Sequence, residues 1–238
     1  MTCDRPLSSC RQSTRIDLNA LIQAPDPYDF FTFKPHLKKL ILSGAADAQH
    51  LSILWYTIPN GSVGQHYHTQ TEAIYTIHGS QTDTNGVYPT GSLAFNPPGS
   101  AHAITHSSGF FLLAYASPPN FDPIAPDPTA SPIQINALAP DLDTQYPFTP
   151  VHEAVSVYPI PLDPAGGIRA ELVNLTAAGQ YIYRGNCLLV LQGCCTLDGT
   201  PADRHHLVVT PSLDPQSYRV GGMGDRCLVL GLAFEFSA

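Results

Sequence analysis

Three histidines and one glutamate in the first half of the chain have the spacing of a metal site. His66 and His68 stand two residues apart, so on a β-strand both side chains project from the same face. Glu72 follows four residues later, and His102 comes after the turn at residues 97–99, so we expect these two to arrive from neighbouring strands. Three imidazoles and one carboxylate suit iron, manganese, nickel, copper, cobalt or zinc and leave coordination positions open. The sequence therefore predicts one divalent metal ion bound by these four side chains.

The elements that must position these ligands are short strands. Apolar or alternating runs bounded by Gly, Pro or Asn predict strands at 51–58, 65–68, 73–78, 93–95 and 110–116. Asn85-Gly86 predicts a hairpin. If Glu72 faces the ion, alternation places Ile74 on the same face and Tyr75 on the other. Short strands with glycine and proline at the corners favour a small antiparallel barrel or jelly roll.

The two segments that carry the ligands resemble the paired signature of the cupin superfamily. Residues 77–92 followed by 96–102 are most similar to the ChrR-like cupins. That group includes the zinc-binding half of an anti-sigma factor and several diketone- or ketone-cleaving dioxygenases. The resemblance implies that His66, His68, Glu72 and His102 take the four ligand positions. There are two departures: the first glycine stands one residue closer to His66 than in the general signature, and His106 stands where many cupins have asparagine.

The second half of the chain repeats the first without its ligands. Tyr181 and Tyr183 fall at the positions of the two neighbouring histidines, and Gln216 falls at the position of His102. We therefore predict an all-β fold of two small antiparallel β-barrels, each a double-stranded β-helix or jelly roll, as in a duplicated cupin. The predicted units are an N-terminal arm (1–28), a metal-binding cupin domain (29–117), a Pro-rich linker (118–150) and a degenerate second cupin domain (151–238). The linker contains nine prolines, which predicts a stiff arm that wraps over a barrel face.

Composition narrows the possible partners and location. A net charge of −8 argues against nucleic acid and anionic membranes. We interpret the small basic cluster of Lys34, Lys38 and Lys39 as a solvated surface patch. With no apolar run long enough to span a bilayer and no signal sequence, we expect a cytoplasmic protein whose six cysteines are free thiols. Exposed strand edges make a homodimer reasonable.

The predicted function is that of a metal-binding bicupin, and we lean towards an enzyme. The leading hypothesis is a metal-dependent dioxygenase, with Fe(II) favoured over Zn, Mn or Ni, acting on a small enolisable or phenolic ketone chelated at the 3-His/1-Glu site. His106 is the candidate catalytic acid or base, because it is expected to share the face of His102. The candidate substrate-binding residues form an apolar wall: Trp55, Tyr67, Ile74, Tyr75, Phe95 and Ile104. One alternative is a non-catalytic, zinc-binding regulatory module of the anti-sigma type, and a second is a cupin isomerase or decarboxylase.

Overall fold

The computed structural model describes residues 13–235. The first twelve residues of the predicted N-terminal arm, with Cys3 and Cys10, lie outside the described residues. The four cysteines within the described part of the chain are free thiols, as expected. In that same part, no helix is both long and apolar enough to cross a membrane.

The chain is built almost entirely from strands. It begins with β1 (Thr14–Asp17) and the short helix α1 (Leu18–Gln23), whose first turn is capped by the Asp17 carboxylate. The strands of the first half follow: β2 (Phe31–Lys34), β3 (Leu37–Gly44), β4 (His50–Tyr67), β5 (Glu72–Asp83), β6 (Val87–Pro89), β7 (Ser92–Asn96), β8 (Ala101–Tyr115) and β9 (Ile133–Asn136).

The second half contains α2 (Leu142–Gln145), a 3-10 turn (Pro164–Gly166) and ten further strands. These strands are β10 (Thr149–His152), β11 (Val155–Pro159), β12 (Ile168–Leu175), β13 (Gln180–Gly185), β14 (Cys187–Gln192), β15 (Cys194–Leu197), β16 (Thr200–Asp203), β17 (His206–Val209), β18 (Gln216–Gly222) and β19 (Cys227–Phe234).

The two halves have the same strand order. The sheet of the first half runs β2-β3-β4-β8-β5-β7-β9, and the large sheet of the second half runs β10-β11-β12-β19-β14-β17-β1. A smaller sheet, β13-β18-β15-β16, forms the other layer of the second half. In the first half the long strands β4, β5 and β8 bend and contribute to both layers. The predicted all-β fold of two duplicated antiparallel jelly rolls joined by a Pro-rich arm is confirmed.

Two short segments complete the sheets from outside the predicted barrels. β1, from the N-terminal arm, pairs with β17 of the second half, and β9, from the Pro-rich segment, pairs with β7 of the first half. Each half therefore receives one edge strand from a segment that the sequence assigned to an arm or linker. Both pairings cover an edge that would otherwise expose unpaired backbone groups.

The apolar residues form three separate cores. One lies inside the first jelly roll and includes Leu54, Ile74 and Phe111. Another lies inside the second jelly roll and includes Tyr183 and Val229. The largest lies between the halves, where the outward faces of the two large sheets pack against each other. Alternation along each strand thus divides its side chains between a barrel interior and the interface between the halves.

Two β-bulges decide which side chains face the interior of the first half. Between Thr76 and His78, β5 has one residue more than its partner β8, so the inward face changes from even to odd positions. In β8, an extra residue at Thr105 has the same effect. Beyond that bulge Ser107 is buried, whereas Thr105 and His106 are exposed.

Candidate metal centre

The four predicted ligands converge inside the first jelly roll. One ligand atom from each of His66, His68, Glu72 and His102 lies within 4.8 Å of the others. Nε2 of His68 is 3.2 Å from Nε2 of His102. Oε2 of Glu72 is 3.5 Å from the first of these nitrogens and 3.6 Å from the second. Within residues 13–235 this is the one group of three or more such side chains close enough to share an ion.

These separations fit a bound divalent ion. Two ligand atoms about 2.1 Å from one centre are about 3.0 Å apart in an octahedral cis arrangement and about 3.4 Å apart in a tetrahedral one. Nδ1 of His66 lies 3.0 Å from the carbonyl of Gly64 and must donate to it, so the lone pair of this imidazole is on Nε2. Nδ1 of His102 is held in the same way by a carboxylate. Two of the three imidazoles are therefore oriented with Nε2 available to a cation, whereas Nδ1 of His68 has no hydrogen-bond partner in the described structure.

Burial and neighbouring charges place His66, His68 and Glu72 in the protonation states that a metal requires. All four residues are at most 3% exposed. Burial lowers the pKa of His68 to about 4 and also lowers the pKa of His66, so both imidazoles are neutral at pH 7. Burial alone would raise the pKa of Glu72, but the nearby imidazoles, led by His68, outweigh it and bring this pKa to about 2. Neutral imidazoles and an ionised carboxylate are the metal-binding forms.

Two residues that the sequence did not single out hold the ligands in place. Oδ2 of Asp83 is 2.7 Å from Nδ1 of His102, and the side-chain amide of Asn96 donates to Oε2 of Glu72 over 2.6 Å. Partners of this kind fix the orientation of metal ligands. Asp83 faces inward only because of the bulge in β5, since strict alternation from Glu72 would have pointed it outward. Asn96 is directly opposite Glu72 in the register of β5 and β7, which a sequence alone does not reveal.

His106 is placed away from the cluster. The sequence expectation that it shares the face of His102 is not met, because the bulge at Thr105 turns the strand between them. The His106 side chain is exposed, and its Nδ1 is 3.2 Å from the hydroxyl of Thr105.

Of the six candidate substrate-binding residues, two line the cavity beside the cluster. Ile74 and Ile104 are part of its wall. Trp55, Tyr75 and Phe95 instead pack between the halves, where Tyr75 is fully buried. Tyr67 lies outside the barrel at the mouth of the site, on the strand end that pairs with Ala101. The side-chain alternation that brings Ile74 inward is what turns Tyr75 and Phe95 away.

The site cavity has apolar walls and a small number of polar groups. The space between its lining atoms is about 430 Å³, a figure that includes open solvent at its mouth. Its floor is formed by His66, Glu72 and His102. The polar groups include the hydroxyl of Tyr56 and Oε1 of Gln81, neither of which has a hydrogen-bond partner in the described structure. The apolar walls are formed by Phe33, Leu37, Leu54, Val63, Ile74 and Ile104.

The Pro-rich segment covers the mouth of this cavity. Asn120 and Tyr67 exchange two backbone hydrogen bonds of 2.7 and 2.9 Å, which fixes the segment to the end of β4. The ring of Phe121 lies 5.4 Å from the ring of His66, and the Lys34 ammonium group lies 3.7 Å from the Phe121 ring centroid. These contacts narrow the opening and shield the ligand histidines from solvent.

Lys39 is buried, which corrects the interpretation of the basic cluster as a solvated patch. Its side chain is 1% exposed and lines the site cavity. Lys38, its neighbour in sequence, faces the other way and lies over the ring of Trp55. The alternation of β3 therefore places one lysine in the barrel and the next one outside it.

Comparison with known proteins agrees with this geometry. Residues 20–118 match the family model of the ChrR Cupin-like domain. A protein from Leptotrichia buccalis, named a Cupin 2 conserved barrel domain protein, superimposes with a TM-score of 0.57 at 12% identity, covering 93% of this chain and 96% of that one. The chain has the cupin fold. No curated protein sequence matches it.

Two further cupin-fold structures are of enzymes or proposed enzymes. Salicylate 1,2-dioxygenase from Pseudoaminobacter salicylatoxidans, solved with gentisate, has a TM-score of 0.58 at 13% identity, covering 94% of this chain and 81% of the dioxygenase. A proposed dioxygenase from Nostoc punctiforme has a TM-score of 0.63 at 13% identity, covering 96% and 85%. At such low identity these likenesses establish the fold that surrounds the cluster.

Proposed function

We propose that this cupin is a metal-dependent dioxygenase that acts on a small enolisable or phenolic ketone. The observation that carries the proposal is the convergence of three imidazoles and one carboxylate at the floor of an apolar cavity. Four protein ligands leave about two positions on an octahedral ion, enough for a chelating ligand. The ion, with Fe(II) favoured, would supply a Lewis acid for two substrate oxygens and the redox chemistry that dioxygen needs.

The protein residues have defined tasks in this proposal. Asp83 and Asn96 hold His102 and Glu72 in fixed orientations. The apolar wall around Ile74 and Ile104 would exclude water and contact the apolar part of a substrate bound at the ion. Phe121 closes the opening above His66. The cupin-fold dioxygenase solved with gentisate supports the proposal by showing that this fold accommodates such chemistry.

Oxygen uptake tests this function. Protein reconstituted with Fe(II) should consume dioxygen when supplied with at least one member of a panel of β-diketones, hydroxyketones and flavonols. A His68→Ala variant should lose both metal and uptake. A His78→Ala variant, which changes an exposed histidine on the same half, should keep both. Absence of turnover with iron, manganese, nickel or zinc across the panel would contradict the proposal.

A second candidate function is a zinc-binding regulatory module, favoured by the match of residues 20–118 to the ChrR Cupin-like domain. In that case the ion would be structural or would report oxidants. Co-purification of a sigma factor with the zinc-loaded protein would favour this candidate. Isomerase or decarboxylase chemistry, the remaining alternative, needs a proton-transfer group at the site. His106, its sequence candidate, is exposed away from the cluster.

A further inference from the structure

A lysine ammonium group is buried beside the metal cluster. Lys39 lies on β3, and its side chain faces the site cavity with Glu72 and Tyr115. Its Nζ lies 4.0 Å from the centroid of the Phe33 ring and 5.4 Å from that of Tyr115. Lysine is rarely buried to this extent without an ionic partner, because removing the charge from water is unfavourable.

The hydrogen bonds of Lys39 are incomplete. Its Nζ lies 3.2 Å from Nε2 of His50, whose Nδ1 donates to the carbonyl of Ala48. Burial lowers the pKa of His50 to about 4, so this imidazole is neutral and accepts from the lysine. An ammonium group has three donors, and within residues 13–235 His50 is its one hydrogen-bonded partner. In that same range Lys39 forms no ion pair with a carboxylate.

The charge of Lys39 is present at neutral pH. Burial lowers its pKa to about 8, although the charge of Glu72 opposes this shift and that of Lys34 adds to it. The amine is therefore mostly protonated at pH 7. Glu72 cannot serve as its full counter-ion, because the carboxylate belongs to the metal cluster and also accepts from Asn96.

The summed charge of the site favours an anion. Glu72 and Asp83 contribute two negative charges. Lys34 and Lys39, both lining the cavity, contribute two positive charges that cancel them. When the imidazoles are neutral and a divalent ion is bound, the net charge of these groups and the ion is about +2. An enolate or phenolate that chelates the ion neutralises about one unit of this positive charge, and a second negative group on the same molecule would be attracted by the remainder.

We propose that Lys39 is the specificity-determining residue of this site, and that it selects chelating substrates that carry an additional ionised carboxylate. This inference rests on the proposed function, since it assumes a chelating ligand at the four-residue cluster. The carboxylate would receive the two free N–H donors of Lys39, and the apolar walls would surround the rest of the molecule. Such a charge-assisted pair is stronger than a neutral hydrogen bond because both partners are ionised and desolvated.

A matched pair of ligands tests the proposal without turnover. 2,4-Dioxopentanoate and its methyl ester have the same diketone and differ in one ionised carboxylate. Binding of each to Ni(II)-loaded protein is measured by calorimetry at pH 7 without dioxygen, and the quantity compared is the ratio of acid affinity to ester affinity. Lys39→Met should lower this ratio about tenfold or more relative to the wild type. Lys38→Met removes the same charge outside the barrel and should leave the ratio unchanged.

The melting temperature and the metal content of Lys39→Met show whether this variant is folded and loaded. Replacing a buried, unpaired charge by an apolar residue of similar length should not destabilise the fold, so Lys39→Met should melt at or above the wild-type temperature and bind one metal ion. Lys39→Gln, which can still hydrogen-bond to His50, should show the same loss of preference.

The possible outcomes distinguish failure of this inference from failure of the proposed function. An unaltered acid-to-ester ratio in both Lys39 variants would overturn the inference and leave the proposed function standing. Failure of both ligands to bind the metal-loaded wild type would contradict the chelation on which the proposed function depends, and the inference would fall with it.

Discussion

Nδ1 of His102 lies 2.7 Å from Oδ2 of Asp83, so a ligand histidine of β8 is held by a carboxylate from the end of β5. Burial alone would lower the pKa of His102, but its hydrogen bond to Asp83 and the charge of Glu72 raise that pKa above its ordinary value. Asp83 also accepts from the backbone N–H groups of Asn85 and Gly86 through its other oxygen. One side chain therefore shapes the hairpin turn and orients a metal ligand.

Replacing Asp83 should weaken the metal site without dismantling it. In Asp83→Asn the amide oxygen can still accept from the hairpin backbone, but the negative charge behind His102 is lost. We expect metal affinity to fall roughly 10- to 100-fold, as measured by competition with a chelator of known affinity. Asp198→Asn, which changes a turn aspartate of the second half that accepts from the Arg219 backbone, should bind as the wild type does. An Asp83→Asn protein with wild-type affinity would contradict this role.

Phe121 should affect the rate at which metal is released more than the affinity for metal. Its ring lies 5.4 Å from that of His66 and narrows the opening of the cavity, yet it supplies no ligand atom. Phe121→Ala should therefore release metal to a chelator severalfold faster, with little change in affinity, in a stopped-flow assay. Ile124→Ala removes an exposed apolar side chain farther along the same segment and should exchange at the wild-type rate. Equal rates in all three proteins would refute a covering role for Phe121.

The second half should be sensitive to added volume around Tyr183. This ring fills the interior of the second jelly roll, where a methyl group on Gly231 would overlap it. Overpacking of a buried site destabilises by about 1–3 kcal/mol, so Gly231→Ala should lower the free energy of unfolding by that amount in urea titrations. At Gly224 the same methyl group meets only ordinary van der Waals contact, 3.8 Å from Sγ of Cys194. Gly224→Ala should be close to neutral, and equal effects of the two changes would argue against the packing account.

His205 should make stability depend on acid pH. Its Nε2 lies 3.2 Å from the Tyr75 hydroxyl, in the interface between the halves. Burial, with the charge of Arg204, lowers the pKa of His205 to about 4, and the charge of Asp17 opposes this only in part. Between about pH 6.5 and pH 4 the unfolded chain therefore binds a proton that the folded chain does not, and stability falls as the pH falls through this window.

The variant that tests this effect is His205→Asn, because His205 has a positive φ of 70° that asparagine tolerates. At pH 7 it should lose about 1 kcal/mol with the hydrogen bond to Tyr75. Towards pH 4 this deficit should disappear and reverse, because a fall in the histidine pKa to about 4 costs the wild type roughly 3 kcal/mol that the variant does not lose. His152→Asn, at an exposed site, should follow the wild-type curve. A deficit in His205→Asn that is constant with pH would contradict the prediction.

The sequence predicted the four side chains of the cluster because part of their geometry is local. His66 and His68 lie two residues apart near the end of one strand, so simple alternation brings them together. His102 lies directly opposite His66 in the register of β4 and β8. Glu72 instead lies opposite Tyr115, at the other end of β8, so it meets His102 only because these long strands bend around the interior. The same alternation correctly placed Ile74 inward and Tyr75 outward.

The rest of the site depends on β-bulges, strand register and the interface between the halves, none of which follows from the alternation of side chains along a strand. An extra residue in β8 turns His106 outward, and an extra residue in β5 turns Asp83 inward. The basic cluster of Lys34, Lys38 and Lys39 predicts a solvated patch, but the register of β3 against β4 places Lys39 inside the barrel. Trp55 and Phe95 were candidates for the cavity wall because the sequence does not show that the outward faces of the two halves bury each other.

The central claim is that His66, His68, Glu72 and His102 together bind one divalent ion in the first half of this chain. The most direct test is anomalous diffraction from crystals of the full chain loaded with Co(II), collected at the cobalt absorption edge. The account predicts one anomalous peak bounded by the three Nε2 atoms and Oε2 of Glu72. A peak in the second half, or no peak among these four side chains at saturating cobalt, would contradict it.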